Sequence, residues 1–266
     1  MTDATANAPS SPPIIGRMQY SDIPAALRAG WRDFARAPVH GLFFASFFVI
    51  GGILIFLQLD QLERSYSIIP LAFGFPLLAP FLAMGLYDVS RRLEQGRELP
   101  LAGVLRVVYR QKDRQCPSMA AVIIVIFMFW VFIAHMIFAL FLGYMPMTNI
   151  STDLAATLFT PNGISMLAFG GAIGAAMAMV LFAITVMGLP LLLDREIDFI
   201  SAMIHSFQAV SENLLPMLAW ALLIAVLMLV AMLPYFLGLF LVLPVLGHAT
   251  WHLYRRVMSF DNPGPA

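Results

Sequence analysis

The chain has 266 residues, of which 61% are hydrophobic and 11% charged, and its 15 Lys and Arg balance 15 Asp and Glu. So little charge cannot cover a water-soluble globule, which excludes a soluble enzyme or a nucleic-acid-binding module and leaves a polytopic membrane protein. The single Cys116 excludes an intrachain disulfide and makes no metal cluster alone; beside Pro117, at the start of an apolar run, it reads as a small buried or interfacial thiol.

Residues 1–19 are expected to be a disordered tail. The first 16 are rich in Ser, Thr, Ala and Pro and hold no apolar run of signal-peptide type. Residues 20–37 predict a helix, with Ser21 or Asp22 as a cap and Pro24 in its first turn. Ile23, Leu27, Trp31 and Phe34 share one face; Arg28, Arg32 and Arg36 share another. That pattern suits a helix lying in the membrane interface, or else a solvent-facing helix packed on its own bundle. Pro38 breaks it, and the first span follows at about 41–59.

A polar turn around Arg64 leads to the second span, 68–87, with kinking prolines at 70, 76 and 80. Its exit runs from Pro80 through Tyr87 to Arg91 and Arg92. The spacing is repeated from Pro244 through Trp251 to Arg255 and Arg256. An apolar run, an aromatic at headgroup level and then paired arginines read as a helix leaving the bilayer on the cytoplasmic side.

The basic stretch 88–115 repeats the first amphipathic helix: Leu101, Leu105 and Tyr109 match Ile23, Leu27 and Trp31, and Arg106, Arg110 and Arg114 match the arginines. The third span follows at 118–144. Met145–Gly163 is a loop without Lys or Arg, and the fourth span is 164–193. A weaker third copy covers Asp194–Asn213, with Phe199, Met203, Phe207 and Val210 as its stripe. Spans five and six, 214–233 and 235–251, form a close hairpin turned at Pro234, and residues 259–266 are expected to be a flexible tail.

The predicted fold is therefore all-α: a membrane domain over 20–258, with six transmembrane helices in three hairpins, each preceded by a cytoplasmic amphipathic interfacial helix. The internal repeat competes with chance similarity of membrane composition. In this topology fourteen Lys and Arg fall on one side and Arg64 alone on the other, so the positive-inside rule puts both termini in the cytoplasm.

On Gly30–Pro38, Phe75–Arg92, Leu192–Arg195 and Leu243–Arg255 the chain resembles an uncharacterised family of integral membrane proteins found in proteobacteria, a domain of unknown function. Some members carry the label of a cytochrome c oxidase subunit. The resemblance covers about 20–258 and implies a bacterial inner-membrane location and a tie to respiration. It supplies no catalytic residue.

The residues themselves offer few chemical groups. His248 and His252 lie four apart and could touch one metal ion, yet no third ligand is evident, and packing or interfacial hydrogen bonding is the simpler reading. His135 lies mid-span, where a neutral ring bonded to a backbone carbonyl is expected. Asp194, Glu196 and Asp198 crowd the end of span four and could pair with Arg91, Arg92, Arg255 and Arg256. No Walker, zincin or serine-elbow motif is present. No catalytic residue, metal ligand or cofactor is therefore assigned.

The arginines at 28, 32, 36, 91, 92, 106, 110, 255 and 256 are the candidates for contact with anionic headgroups, or they simply set topology. Gly170, Gly174 and Ala178 form a small-residue seam, either within the bundle or toward a partner. The expected partners are the bilayer and other membrane subunits, with a respiratory complex implied by the resemblance. The expected function is that of an accessory, assembly or stabilising component. A transporter or channel for a small or amphiphilic solute is the alternative, and a lipid-modifying enzyme centred on Asp194 and Asp198 the third.

Overall fold

The computed structural model describes residues 12–60, 68–143 and 159–260, with side chains for all of these except 58–60 and 68–77. The polar turn at Arg64, most of the 145–163 loop, and the side chains of Pro70 and Pro76 lie outside what is described. The chain forms two compact units. One joins the residues up to Ala121 with those from Ala183 onward; the other is Val122–Phe182.

The helices follow in order as α1 (Asp22–Arg36), α2 (Pro38–Asp60), α3 (Ile68–Glu94), α4 (Leu101–Arg110), α5 (Cys116–Leu142), α6 (Pro161–Thr185), α7 (Gly188–Asp194), α8 (Phe199–Glu212), α9 (Leu214–Met232) and α10 (Leu239–Val257). Pro38 opens α2 because the missing N–H falls in the first turn, where it would have no helical partner. Among the described residues, four stretches are long and apolar enough to cross a membrane: Pro38–Leu57, Cys116–Leu142, Pro161–Asp194 and Leu214–Met232. The six spans expected from the sequence add α3 and α10 to these four.

The stretch Pro161–Asp194 is broken between α6 and α7. Ser206 of α8 and Pro190, which has no N–H to give the Val186 carbonyl, both interrupt the ladder there. The Ser206 Oγ donates to the Ala183 carbonyl at 2.7 Å and accepts from the Met187 N–H at 3.1 Å. Those two groups would otherwise bond each other within the helix, so the hydroxyl is inserted into the ladder and opens it.

Within the first unit, α1 packs on α10, α4 on α3 and α8 on α7, while α3, α7 and α10 pack on one another. The α1–α10 contact is close. A Cβ on Gly30 would stand 2.5 Å from the Val245 carbonyl oxygen and 2.7 Å from the Ala249 nitrogen, so only glycine fits. Ala26, Ala29 and Asp33 complete the buried face of α1. The large residues Ile23, Leu27 and Phe34 are only half-buried, and Trp31 is 51% exposed. The small face docks, leaving the aromatic edge of α1 outside.

The expectation of a disordered tail over 1–19 is corrected for its last part. Ile14–Ile15 (β1) pairs antiparallel with Met258–Ser259 (β2). Asn213 then clamps the segment: its Oδ1 accepts from Met18 N at 2.7 Å and its Nδ2 donates to the Gly16 carbonyl at 3.1 Å. Ser259 thereby also leaves the expected C-terminal tail. The tight turn at Pro234 is present, with Tyr235 at φ 50 and Phe236 at φ 66 reversing the chain between α9 and α10.

In the second unit α5 and α6 share one internal seam. A Cβ on Gly174 would meet the Trp130 ring at 2.8 Å, and one on Gly170 would lie 3.7 Å from Ile137. Gly171 faces open space, and Ala178 is exposed.

Candidate functional site

The polar side chains of the first unit converge where α1, α3 and α10 meet. The Asp33 carboxylate of α1 accepts from His252 Nε2 of α10 at 2.6 Å. One turn earlier on α10, His248 Nδ1 lies 2.8 Å from Ser90 Oγ of α3. His248 and Ser90 are fully buried, and Asp33 is 6% exposed. Burial pushes the Asp33 carboxyl up. The hydrogen bond and charge of His252, with the Ser90 hydroxyl, outweigh that and hold it below its ordinary value.

The two histidines of the i, i+4 pair thus take different partners on different helices and do not converge on one ion. Among the described residues no three His, Cys, Asp or Glu side chains gather as a metal site. The arrangement is not a catalytic triad either, because Asp33 bonds His252 while Ser90 meets His248. What these bonds do is join the first ordered helix and the second hairpin helix to the last one.

A second layer lies at the charged ends of α3, α7 and α10. Asp88, fully buried, accepts from Arg91 Nη2 at 2.6 Å and from Arg92 Nε at 2.7 Å. Arg91 Nη1 continues to the Leu193 carbonyl of α7 at 3.0 Å. The Tyr254 hydroxyl donates to Asp194 at 2.9 Å, and Arg255 reaches both Glu94 at 3.3 Å and Asp194 at 3.7 Å. Trp251 Nε1 also donates to Glu94, at 3.3 Å. Arg256 pairs with Asp22 at 3.1 Å.

The candidate arginines therefore separate into two groups. Arg91 and Arg92 are bound to Asp88 of their own helix, and Arg255 and Arg256 to carboxylates of other helices. Arg28, Arg32, Arg36, Arg106 and Arg110 stand exposed on α1 and α4. Of the acidic cluster at span four, Asp194 meets Arg255, Glu196 pairs with Arg114, and Asp198 caps α8 through the Ser201 N–H at 2.9 Å. His135 Nδ1 lies 2.7 Å from the Val131 carbonyl in its own helix.

Sequence reasoning missed Asp33, Ser90, Asp88 and Ser206. Asp33 had a readable signal, since it follows Ala26, Ala29 and Gly30 on one small-residue face. Ser206 had none, because its role depends on a helix twenty residues away.

Residues 68–194 match a family described as a predicted integral membrane protein, DUF2189. The stretch from α3 through α7 is thus similar to a family without an assigned function, and the protein is an integral membrane protein. No curated protein and no solved structure matches the chain.

Proposed function

We propose that the protein is a non-enzymatic accessory component of a larger membrane complex: a subunit, assembly factor or stabiliser. One observation carries this reading. Ala168, Gly171, Ala172, Ala175 and Ala178 are all exposed on one side of α6. The exposed positions of α5 are mostly large, among them Met128, Phe129, Phe132, Met136 and Leu140, and Leu167, Phe169 and Val180 are exposed elsewhere on α6. Lipid tails favour neither, but a small-residue face lets a second helix backbone approach closely. The α6 face fits a transmembrane helix of another subunit, and the label carried by some relatives makes a respiratory complex the first to examine.

The proposed topology has six spans in a bacterial inner membrane, with both ends cytoplasmic. Pairing of β1 with β2 supports an even number of crossings, since it holds the two ends of the domain together. The distribution of Lys and Arg supports the cytoplasmic assignment. The proposed threefold repeat is supported by docking order: α4 packs on the hairpin before it, α8 does the same, and α1 closes the set on the last. Ala26, Val104 and Ala202, each two residues before Arg28, Arg106 and Ile204, are all fully buried.

A photo-crosslinking residue at Ala172 or Ala175, with Phe132 as comparison, tests the accessory reading in intact membranes. The reading expects one discrete protein adduct from the α6 positions and lipid adducts from Phe132. Lipid adducts alone at all three would remove its support. The transporter alternative draws on a cavity of 430 Å³ between α5 and α6, lined by Trp130, His135, Met166 and Gly170. Solute flux into liposomes holding the purified protein would favour it.

A further inference from the structure

A second cavity, of 360 Å³, opens where the end of α3, the turn after α4 and the end of α7 meet. It is lined by Arg91, Arg110, Gln111, Arg114 and Glu196, with Val107 and Leu193 as its apolar wall. Cys116, two residues after Arg114, begins the apolar helix α5, so the cavity sits at the level where a chain passes from water to hydrocarbon. Three arginines face one carboxylate of the lining. Arg91 holds Asp88 and the Leu193 carbonyl on one side, and Arg114 holds Glu196.

Two features of the lining are incomplete without an occupant. Gln111 is 2% exposed, and its Oε1 has no hydrogen-bond partner. A buried acceptor in that state is unfavourable until a donor reaches it. The Arg114 guanidinium is held below its ordinary range by burial and by the like charge of Arg91. An anion placed between the two arginines would relieve that repulsion.

We propose that this cavity binds the headgroup of an anionic phospholipid. Its phosphodiester lies among Arg91, Arg110 and Arg114, and a glycerol hydroxyl of the headgroup donates to Gln111 Oε1. A phosphodiester offers planar acceptor edges that guanidinium groups match, and a neighbouring hydroxyl is the donor that the orphaned amide oxygen lacks. Phosphatidylglycerol carries both. Phosphatidylcholine carries the phosphate with a cation and no donor. The proposal rests on the membrane placement of the protein and not on the accessory reading, so crosslinks at α6 neither support nor weaken it.

The test is native mass spectrometry of the full chain in mild detergent, with phosphatidylglycerol, phosphatidylcholine or inorganic phosphate added. The proposal expects one phosphatidylglycerol retained in preference to phosphatidylcholine. Arg110→Gln should weaken retention about fivefold, and Arg28→Gln, on the outer face of α1, should leave it unchanged. Arg110 is exposed, so its replacement leaves the fold intact; Gln111→Leu, which removes the acceptor, should reduce the preference for phosphatidylglycerol. Equal losses in Arg110→Gln and Arg28→Gln would overturn the proposal in favour of general surface charge. Displacement of the lipid by inorganic phosphate would overturn the lipid assignment in favour of a free-phosphate site.

Discussion

Asp33 and His252, 219 positions apart in the chain, meet at 2.6 Å and fasten the first ordered helix to the last. The pair lies beside the Gly30 contact, so one face of α1 combines backbone proximity with a charged hydrogen bond. Removing His252 leaves a buried carboxylate without its main partner, which typically costs about 3–5 kcal/mol. His252→Ala is therefore expected to lower the melting temperature in detergent markedly. Asp33→Asn, which removes the charge as well, should be milder. Equal melting temperatures for wild type and His252→Ala would contradict this role.

The same pair sets a pH dependence. The Asp33 carboxyl is depressed below its ordinary 3.8 in the folded protein. A depressed carboxyl contributes stability that is fully present above its unfolded value and is lost as pH falls through the folded one. Stability should hold from neutral pH down to about 5 and decline below about 4. Asp33→Asn should flatten part of that acid limb. An identical limb in both proteins would place the acid sensitivity elsewhere.

Gly30→Ala puts a methyl group against the Val245 carbonyl and the Ala249 nitrogen, and backbone cannot rotate aside as a side chain can. Overpacking of this kind costs about 1–3 kcal/mol. Ala35→Leu on the exposed side of α1 is the matched control and should be near neutral. Urea titration of both in detergent distinguishes them.

Ser206→Ala removes the hydroxyl that bridges Ala183 and Met187. Either both backbone groups stay unsatisfied, at about 1–3 kcal/mol, or the break closes and α6 runs into α7. Hydrogen exchange at Met187 separates the two, since closure would protect an amide that faces only a side chain in the wild type. Unchanged stability together with unchanged exchange would refute the insertion account.

Asp88→Ala leaves Arg91 and Arg92 partly buried without their carboxylate. Loss of about 3 kcal/mol or more is expected, read as reduced yield and early unfolding. A stable, monodisperse Asp88→Ala protein would mean that the arginines are solvated by other groups.

Much of the helix plan was legible because it rests on periodicity and on proline. Pro38 separates α1 from α2, the arginine register marks α4, and Pro234 precedes the turn into α10. The pairing of span-four carboxylates with the exit arginines was legible from charge, and it is present at Asp194 and Arg255. The polar junction was not, because Asp33, Ser90 and His248 come from helices far apart in sequence and each alone resembles ordinary membrane-boundary polarity. The order in the N-terminal segment was hidden for the same reason: its partners, Asn213 and Met258, lie near the other end of the chain. Of the expected small-residue seam, Gly174 lies against the Trp130 ring while Ala178 is exposed, a division that depends on where the α5 side chains fall.

Purification of the tagged wild-type chain from native membranes in mild detergent, beside Ala172→Phe, tests the central claim most directly. The account predicts a stoichiometric membrane subunit with the wild type and its loss with Ala172→Phe, while the variant itself stays folded and monodisperse. A wild-type protein that elutes with lipid alone, or a partner that remains bound to Ala172→Phe, would contradict it.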